Sequence, residues 1–519
     1  MLRFGVRQRI AVLILLFAAT CDNTAAAPAT AALDYGPHAV GFRFLTELDH
    51  SRAVLPRTTF DGVQTTGETA MAVDIGVWYP AETPVSQARM TAEAYKTLRS
   101  PQTRDAVIAD FSRMAAFAGM TISTDEALEA LTRPTHAVRD ALPAPGRFPL
   151  VISGAYHGTG WMWAEYLASH GYVVVAAPSS ARTATLEASQ PEIALEIQTR
   201  NLEFLFAYAR QQPFVDAGRL GVIGVNFDGM AALVFEMRNM RADAIVSLDG
   251  YEAKAGNVAT LRGTPFFDPA RLRAPYLLFV QDERDPPPAL AHDKTIWNAL
   301  RYATRYWYVL RDFNHVRLIS DVGNASSQSP EQAAGHVFIL GTMRLALDAY
   351  VKRDREAIAA LAKRQLDNGL PSTLLKTADR ATALPPAPTA EEFEQLVMSG
   401  SIDRAANVYR ESKAANPDLR LFDESTIGLY AFRYGQRKLV KEALAVRKLA
   451  AEAFPESAMA AYQLGIAAVD AGSIPEARFA FERALALIAS ERSGAALSPV
   501  RRDELRRDIE RRMTSLSGR

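Results

Sequence analysis

The chain has 519 residues, 49% hydrophobic and 22% charged, a length and composition that predict a globular protein of two to four domains. Its 58 Lys and Arg balance 58 Asp and Glu, so the formal net charge is zero. That balance excludes the basic surplus of a general nucleic-acid binder and the high net charge of a disordered chain.

Taken in chain order, the first feature is an address. Arg3, Arg7 and Arg9 precede an apolar run from Ile10 to Ala19, and small residues follow from Thr20 to Ala32. The run is shorter than the roughly 20 residues that cross a bilayer. A basic start, a short apolar centre and a small-residue exit predict an export signal over 1–31. The sole cysteine, Cys21, ends the run, and Ala18-Ala19-Thr20-Cys21 resembles a bacterial lipoprotein box. The expected locations are the periplasm of a bacterium or its membrane surface through lipidated Cys21. A lipid anchor is the only membrane contact expected.

From 33 to 355, short apolar runs alternate with helical stretches. Ile75–Tyr79, Leu150–Ser153, Tyr172–Ala177, Leu220–Ile223, Ala244–Leu248, Tyr276–Val280 and Arg305–Leu310 read as strands. Runs this apolar, with little polar alternation, predict strands covered on both faces. Helical segments such as Met162–Ser169, Glu192–Arg210 and Met230–Asn239 separate them, which predicts an α/β domain with a mostly parallel sheet flanked by helices. Residues 86–140 read as a mostly helical insertion.

Residues 356–388, ending in the Pro-rich Leu384-Pro-Pro-Ala-Pro388, read as a helical and Pro-rich linker. Beyond it the chain reads as helix. Gly400, Gly435 and Gly472 recur at spacings of 35 and 37 residues, and Asn416-Pro417 and Phe454-Pro455 recur at 38. One unit, Leu464-Gly465, Gly472, Ala477, Phe481 and Ala484, is well formed. Residues 389–490 thus resemble tetratricopeptide repeats, in which small residues let helices approach and an aromatic fills the gap. Residues 491–519 read as a capping helix. The repeats imply a protein partner.

The chemistry centres on Gly224-Val-Asn-Phe-Asp-Gly229, between a strand and a helix. That context is a nucleophile elbow, whose strained turn requires small flanking residues. Its nucleophile position holds Asn226, and Asp228 stands where the second small residue belongs. Asp249 and His315 follow at strand ends, in the chain order nucleophile, acid, histidine. Asp282, after the next strand, is a second acid candidate. The oxyanion donors would be the Phe227 N–H and an N–H near Ala155 or His157. Ser153, Ser179 and Ser180 lie near strand ends but outside an elbow.

With these residues the chain resembles the α/β-hydrolases of the plasma-type platelet-activating-factor acetylhydrolase and dienelactone hydrolase group. Asp49-His-Ser-Arg52, Val77-Trp-Tyr-Pro80, Gly146–Val151, Leu167–Val173, Ser247-Leu-Asp-Gly250 and Phe313-Asn-His315 carry the likeness, in order, from near Gly41 to near Lys352. The resemblance implies an α/β-hydrolase fold, a small acyl-ester substrate and a Leu-Asp acid, which favours Asp249 over Asp282. It also implies a serine where Asn226 stands. Two functions follow. One is a carboxylic ester hydrolase of reduced or altered activity, with Asp228 or a deamidated Asn226 as alternative nucleophiles. The other is a pseudoenzyme that binds an acyl or peptide-like ligand and a partner protein. No cofactor is expected: the histidines are scattered, and Gly154–Gly160 lacks the Gly-Lys-Ser/Thr end of a phosphate loop.

Overall fold

The computed structural model describes residues 33–53, 58, 61–64, 66–67, 69–82, 88–99, 101–154, 160–177, 185–187, 189–282, 296–319, 329–366, 375–490 and 498–517. The export signal with Cys21, together with Ala155, His157, Ser179 and Ser180, lies outside the described residues.

In chain order, β1 (Ala39–Ala53) and β2 (Ala70–Ala81) pair antiparallel along most of their length. The insertion follows as β3 (Arg89–Thr91), α1 (Ala92–Lys96), α2 (Arg104–Phe117), α3 (Thr124–Thr132) and β4 (Pro134–Arg139). Next come β5 (Phe148–Ser153), α4 (Trp161–Ser169), β6 (Val173–Ala176), α5 (Pro191–Ala209), β7 (Val215–Val225) and α6 (Asp228–Asn239). The α/β body ends with β8 (Ala244–Leu248), α7 (Ala255–Gly263), β9 (Tyr276–Val280), β10 (Arg305–Leu310), α8 (His315–Ile319), α9 (Pro330–Tyr350), α10 (Arg355–Leu366) and β11 (Leu375–Ala381).

Among the described residues the strands form one eleven-stranded sheet in the order β3-β4-β1-β2-β6-β5-β7-β8-β9-β10-β11. The run from β6 to β10 is parallel throughout. The order β1-β2-β6-β5-β7-β8-β9-β10, with β2 antiparallel, is that of the α/β-hydrolase sheet. From β5 the chain crosses to β6 on one side and returns to β7 on the other, so the order reverses there. Such a switch point opens a crevice beyond the carboxyl ends of β5 and β7.

The apolar strands are buried on both faces. Val151, Val174, Ile223, Val246 and Leu277 face α4 and α9, in one core with Leu167, Phe338 and Met343. Their chain neighbours Ile152, Val175, Val222, Ile245 and Leu278 face α5 and α6, in a second core with Leu202, Leu205, Leu233 and Val234. Alternation of side chains along each strand, with helices on either face, accounts for the unbroken apolar runs.

Two segments carry more strand than the sequence predicted. The insertion is helical over α1–α3, but β4 pairs with β1 and β3 with β4, extending one sheet edge. The segment read as a linker contains α10 and also β11, which pairs antiparallel with β10 at the other edge. Leu375–Ala381 is only partly buried and mostly polar, so no apolar run announces it.

The C-terminal region is helical: α11 (Ala390–Met398), α12 (Ile402–Ala415), α13 (Glu424–Gln436), α14 (Val440–Ala453), α15 (Ala458–Asp470), α16 (Ile474–Ala489) and α17 (Pro499–Ser517). Each helix through α16 packs on its chain neighbour or next neighbour. Between α15 and α16, a Cβ on Gly465 would come within 2.4 Å of the Phe481 ring, so the missing side chain lets the helices close around the aromatic. This region shares a core with the α/β body through Ala270 and Tyr302. Asn416 is fully buried and donates to Ala299 O at 3.2 Å, and Arg262 pairs with Asp418 at 2.7 Å.

Candidate active site

β7 delivers the chain into a tight turn at the switch point. Asn226 holds φ +57, in the left-handed region that asparagine tolerates better than most residues. Its N–H donates to Leu248 O at 3.1 Å, and its carbonyl accepts from Gly229 N at 3.2 Å and Tyr251 N at 3.0 Å. The turn is thereby tied to the end of β8. Gly224 and Gly229 are required by proximity: a Cβ on Gly224 would lie 2.5 Å from Gly229 Cα, and one on Gly229 would lie 2.1 Å from Glu252 Oε2.

Asp249 follows β8 directly, at φ +47, with its N–H on Phe279 O at 2.7 Å. Its side chain is fully buried. Oδ1 accepts from Gln281 N at 2.9 Å, and Oδ2 lies 2.5 Å from His315 Nδ1. His315 begins α8, and its backbone N–H donates to Gln281 Oε1 at 3.3 Å. A carboxylate on Nδ1 fixes the ring and leaves Nε2 as the atom for proton transfer. Asp282 is held differently. Its carboxylate pairs with Lys376 of β11 and accepts from Asp312 N at 3.2 Å. Of the two acid candidates, Asp249 is the one in contact with His315.

Phe227 sits at the N-terminus of α6, buried, with its ring edge-on to Tyr251 at 6.0 Å. Asp228 is 2% exposed, and Oδ1 has no hydrogen-bond partner among the described residues. Its carboxyl lies against Gly154 at the end of β5, where a Cβ would approach Cγ to 3.2 Å. Burial, and then the charge of Glu187, hold this carboxyl well above its ordinary range. Ser153, the last residue of β5, is fully buried.

Of four supporting residues, Glu252, Gln281 and Arg317 carry no motif that could reveal them, and Asn314 lies inside Phe313-Asn-His315. Glu252 is fully buried beneath the turn, and its Oε1 accepts from Ser247 Oγ and Tyr276 OH, each at 2.5 Å. Burial pushes its pKa up. Gln281 holds both Asp249 and His315. Asn314 Nδ2 donates to Phe117 O at 2.9 Å and Arg317 Nε to Ala118 O at 2.6 Å, so residues flanking His315 grip the C-terminal end of α2 in the insertion. The signal for Glu252 is only its place three residues after the acid.

Among the described residues, no group of three or more His, Cys, Asp or Glu could hold a metal ion. No described helix is long and apolar enough to cross a membrane.

No family model and no curated protein matches the chain. Among solved structures, a ferulic acid esterase from Streptomyces cinnamoneus is similar over 63% of this chain and 93% of its own. The identity is 20% and the TM-score 0.44.

Proposed function

We propose that the chain is an exported protein built on an esterase-type α/β-hydrolase frame whose nucleophile position is Asn226. Its site binds a small acyl-ester or peptide-like ligand and turns it over only through the groups that remain. The observation that carries this reading is the 2.5 Å contact of His315 Nδ1 with buried Asp249, beside a left-handed turn at Asn226.

The chemistry follows from the side chains. A histidine so oriented can take a proton from a hydroxyl, but the Asn226 amide is a very weak nucleophile and offers no proton that imidazole can remove. No acyl-enzyme forms on it. What remains is His315 acting as base toward a water, with the Phe227 N–H at the developing oxyanion. Frames of this kind without their nucleophile keep a residual acceleration of about 10³–10⁴ over water.

A second reading is a pseudoenzyme that only binds. Asn226, and an Asp228 Oδ1 without a hydrogen bond among the described residues, favour it. In both readings the C-terminal helices act as tetratricopeptide-like repeats that dock a partner protein, and Cys21 offers a site for a lipid anchor.

The test is hydrolysis of short-chain p-nitrophenyl esters by the mature protein, with Asn226→Ser, His315→Ala and the double variant alongside. The expected result is a near-silent wild type and a gain in Asn226→Ser that His315→Ala abolishes. A wild type already as fast as Asn226→Ser overturns the reading and points to Asp228 or a deamidated Asn226.

A further inference from the structure

We propose that the turn after β7 receives a cationic nitrogen, the ammonium of an alkylamine, where an esterase frame would stabilise an oxyanion. The inference names the ligand class of the site described above and rests on the reading of Asn226, Asp249 and His315 as that site.

Residue 228 stands two positions after Asn226. A small residue suits this position in an elbow, and the chain instead has a carboxylic acid. Asp228 is the first residue of the twelve-residue α6, where the helix N-terminus favours a negative charge. Its side chain is 2% exposed and lies against Gly154, between the carboxyl ends of β5 and β7. The glycine leaves the room that this carboxyl occupies.

Two acceptors there lack partners. Asp228 Oδ1 and Asn226 Oδ1 are both buried without a hydrogen bond among the described residues. They lie two residues apart, at the turn between β7 and α6. Buried polar atoms in native proteins nearly always have partners, so a donor that reached this turn would find two acceptors ready for it.

Acidic groups surround the turn, and although burial by itself holds the Asp228 carboxyl well above its ordinary range, an ammonium beside it would draw it to the carboxylate. Glu187 acts electrostatically on both Asp228 and Tyr251, and Asp249 acts on Tyr251. Asp249 is already engaged with His315 and Gln281, and so contributes field but no free acceptor. Among the described residues neither Asp228 nor Glu187 forms an ion pair. Among the described residues a cation near the turn, Lys254, lies over the Tyr251 ring at 5.0 Å from its centroid. An ammonium brings three donors and no acceptor, which satisfies two bare acceptors and offsets the acidic field. An oxyanion brings no donor for these acceptors. The same turn that cannot attack an ester is thus chemically fitted to hold an amine.

The experiment is calorimetric titration of the full chain with n-hexylammonium, n-hexanol and n-hexanoate, which share a chain length and differ in head-group charge. It is repeated on Asp228→Asn, which keeps shape and removes charge. Hexylammonium should bind at least about tenfold more tightly than the other two. Asp228→Asn should erase that preference by weakening hexylammonium to about the level of hexanol. The proposal is overturned if hexanol or hexanoate matches the ammonium, if Asp228→Asn keeps the preference, or if none of the three binds. Failure of the underlying site reading shows separately, as an Asn226→Ser variant with no His315-dependent ester hydrolysis.

Discussion

Asp249 Oδ2 and His315 Nδ1 lie 2.5 Å apart, joining the end of β8 to the start of α8 across 66 residues. Gln281 completes the arrangement by donating its N–H to Asp249 Oδ1 and accepting the His315 N–H. The acid is fully buried while the imidazole is partly exposed, so one end of the pair is fixed and the other faces outward. In an Asn226→Ser background, Asp249→Asn should lower kcat by about 10⁴, because the amide favours the wrong imidazole tautomer. Urea unfolding of the same variant should change little, since the Gln281 N–H keeps an acceptor. A loss below about tenfold would mean that another group orients His315.

The turn itself makes a backbone prediction. Asn226 stands at φ +57, where a Cβ without a local hydrogen bond is strained. Asn226→Gly and Asn226→Ala both delete the side-chain amide, so their difference isolates the backbone. Glycine should be the more stable by about 1 kcal/mol in denaturant unfolding. Equal stabilities would mean that the turn relaxes out of the left-handed region when the side chain is removed.

Much of this frame was legible in the sequence because its strands are buried on both faces. Val173–Ala176, Ala244–Leu248 and Tyr276–Val280 are entirely buried and read as apolar runs. β11 was not legible: Leu375–Ala381 lies at an edge, half-covered and polar. β4 is hidden for a similar reason, with exposed residues at both ends. Chain order made Asn226, Asp249 and His315 stand out, because strand ends converge at a switch point. Glu252, Gln281 and Arg317 act through tertiary contacts, and nothing in a one-dimensional pattern separates them from ordinary polar residues; Asn314 stands inside Phe313-Asn-His315, but its hold on α2 is a tertiary contact too. Asp282 shows the limit from the other side. It occupies a strand end as Asp249 does, and its partner Lys376 comes from the strand that the sequence concealed.

Glu252 and Gly229 supply a packing test. A methyl group at 229 would stand 2.1 Å from Glu252 Oε2, and the Glu252 side chain is fixed by Ser247 and Tyr276. Gly229→Ala should therefore destabilise the protein by about 1–3 kcal/mol. Glu252→Ala removes the obstacle but leaves two buried hydroxyls without an acceptor, so it is also destabilising. Their effects should be less than additive, because the second change relieves the clash made by the first. Strict additivity in a double-mutant cycle would show that the turn moves away from Glu252 instead.

Glu165 on α4 links the insertion to the sheet and sets a pH dependence. Its Oε1 accepts from Tyr95 OH at 2.8 Å and its Oε2 from His136 N at 2.8 Å, which ties α1 and β4 to α4. It is fully buried, and burial raises its pKa to about 7. The folded chain thus holds a proton at pH values where the unfolded chain has released it. The contribution to stability is fully present below the unfolded glutamate range near 4.5 and is lost as pH rises through about 7. Glu236 has the same direction and the same range, so the wild type should lose stability over that interval through both groups. Glu165→Gln cannot titrate. Urea unfolding across the interval should then show a shallower decline than wild type, by up to about 1.4 kcal/mol per pH unit at its steepest. An unchanged slope would mean that Glu165 stays ionised in the fold, with the insertion held by a charged rather than a neutral carboxyl.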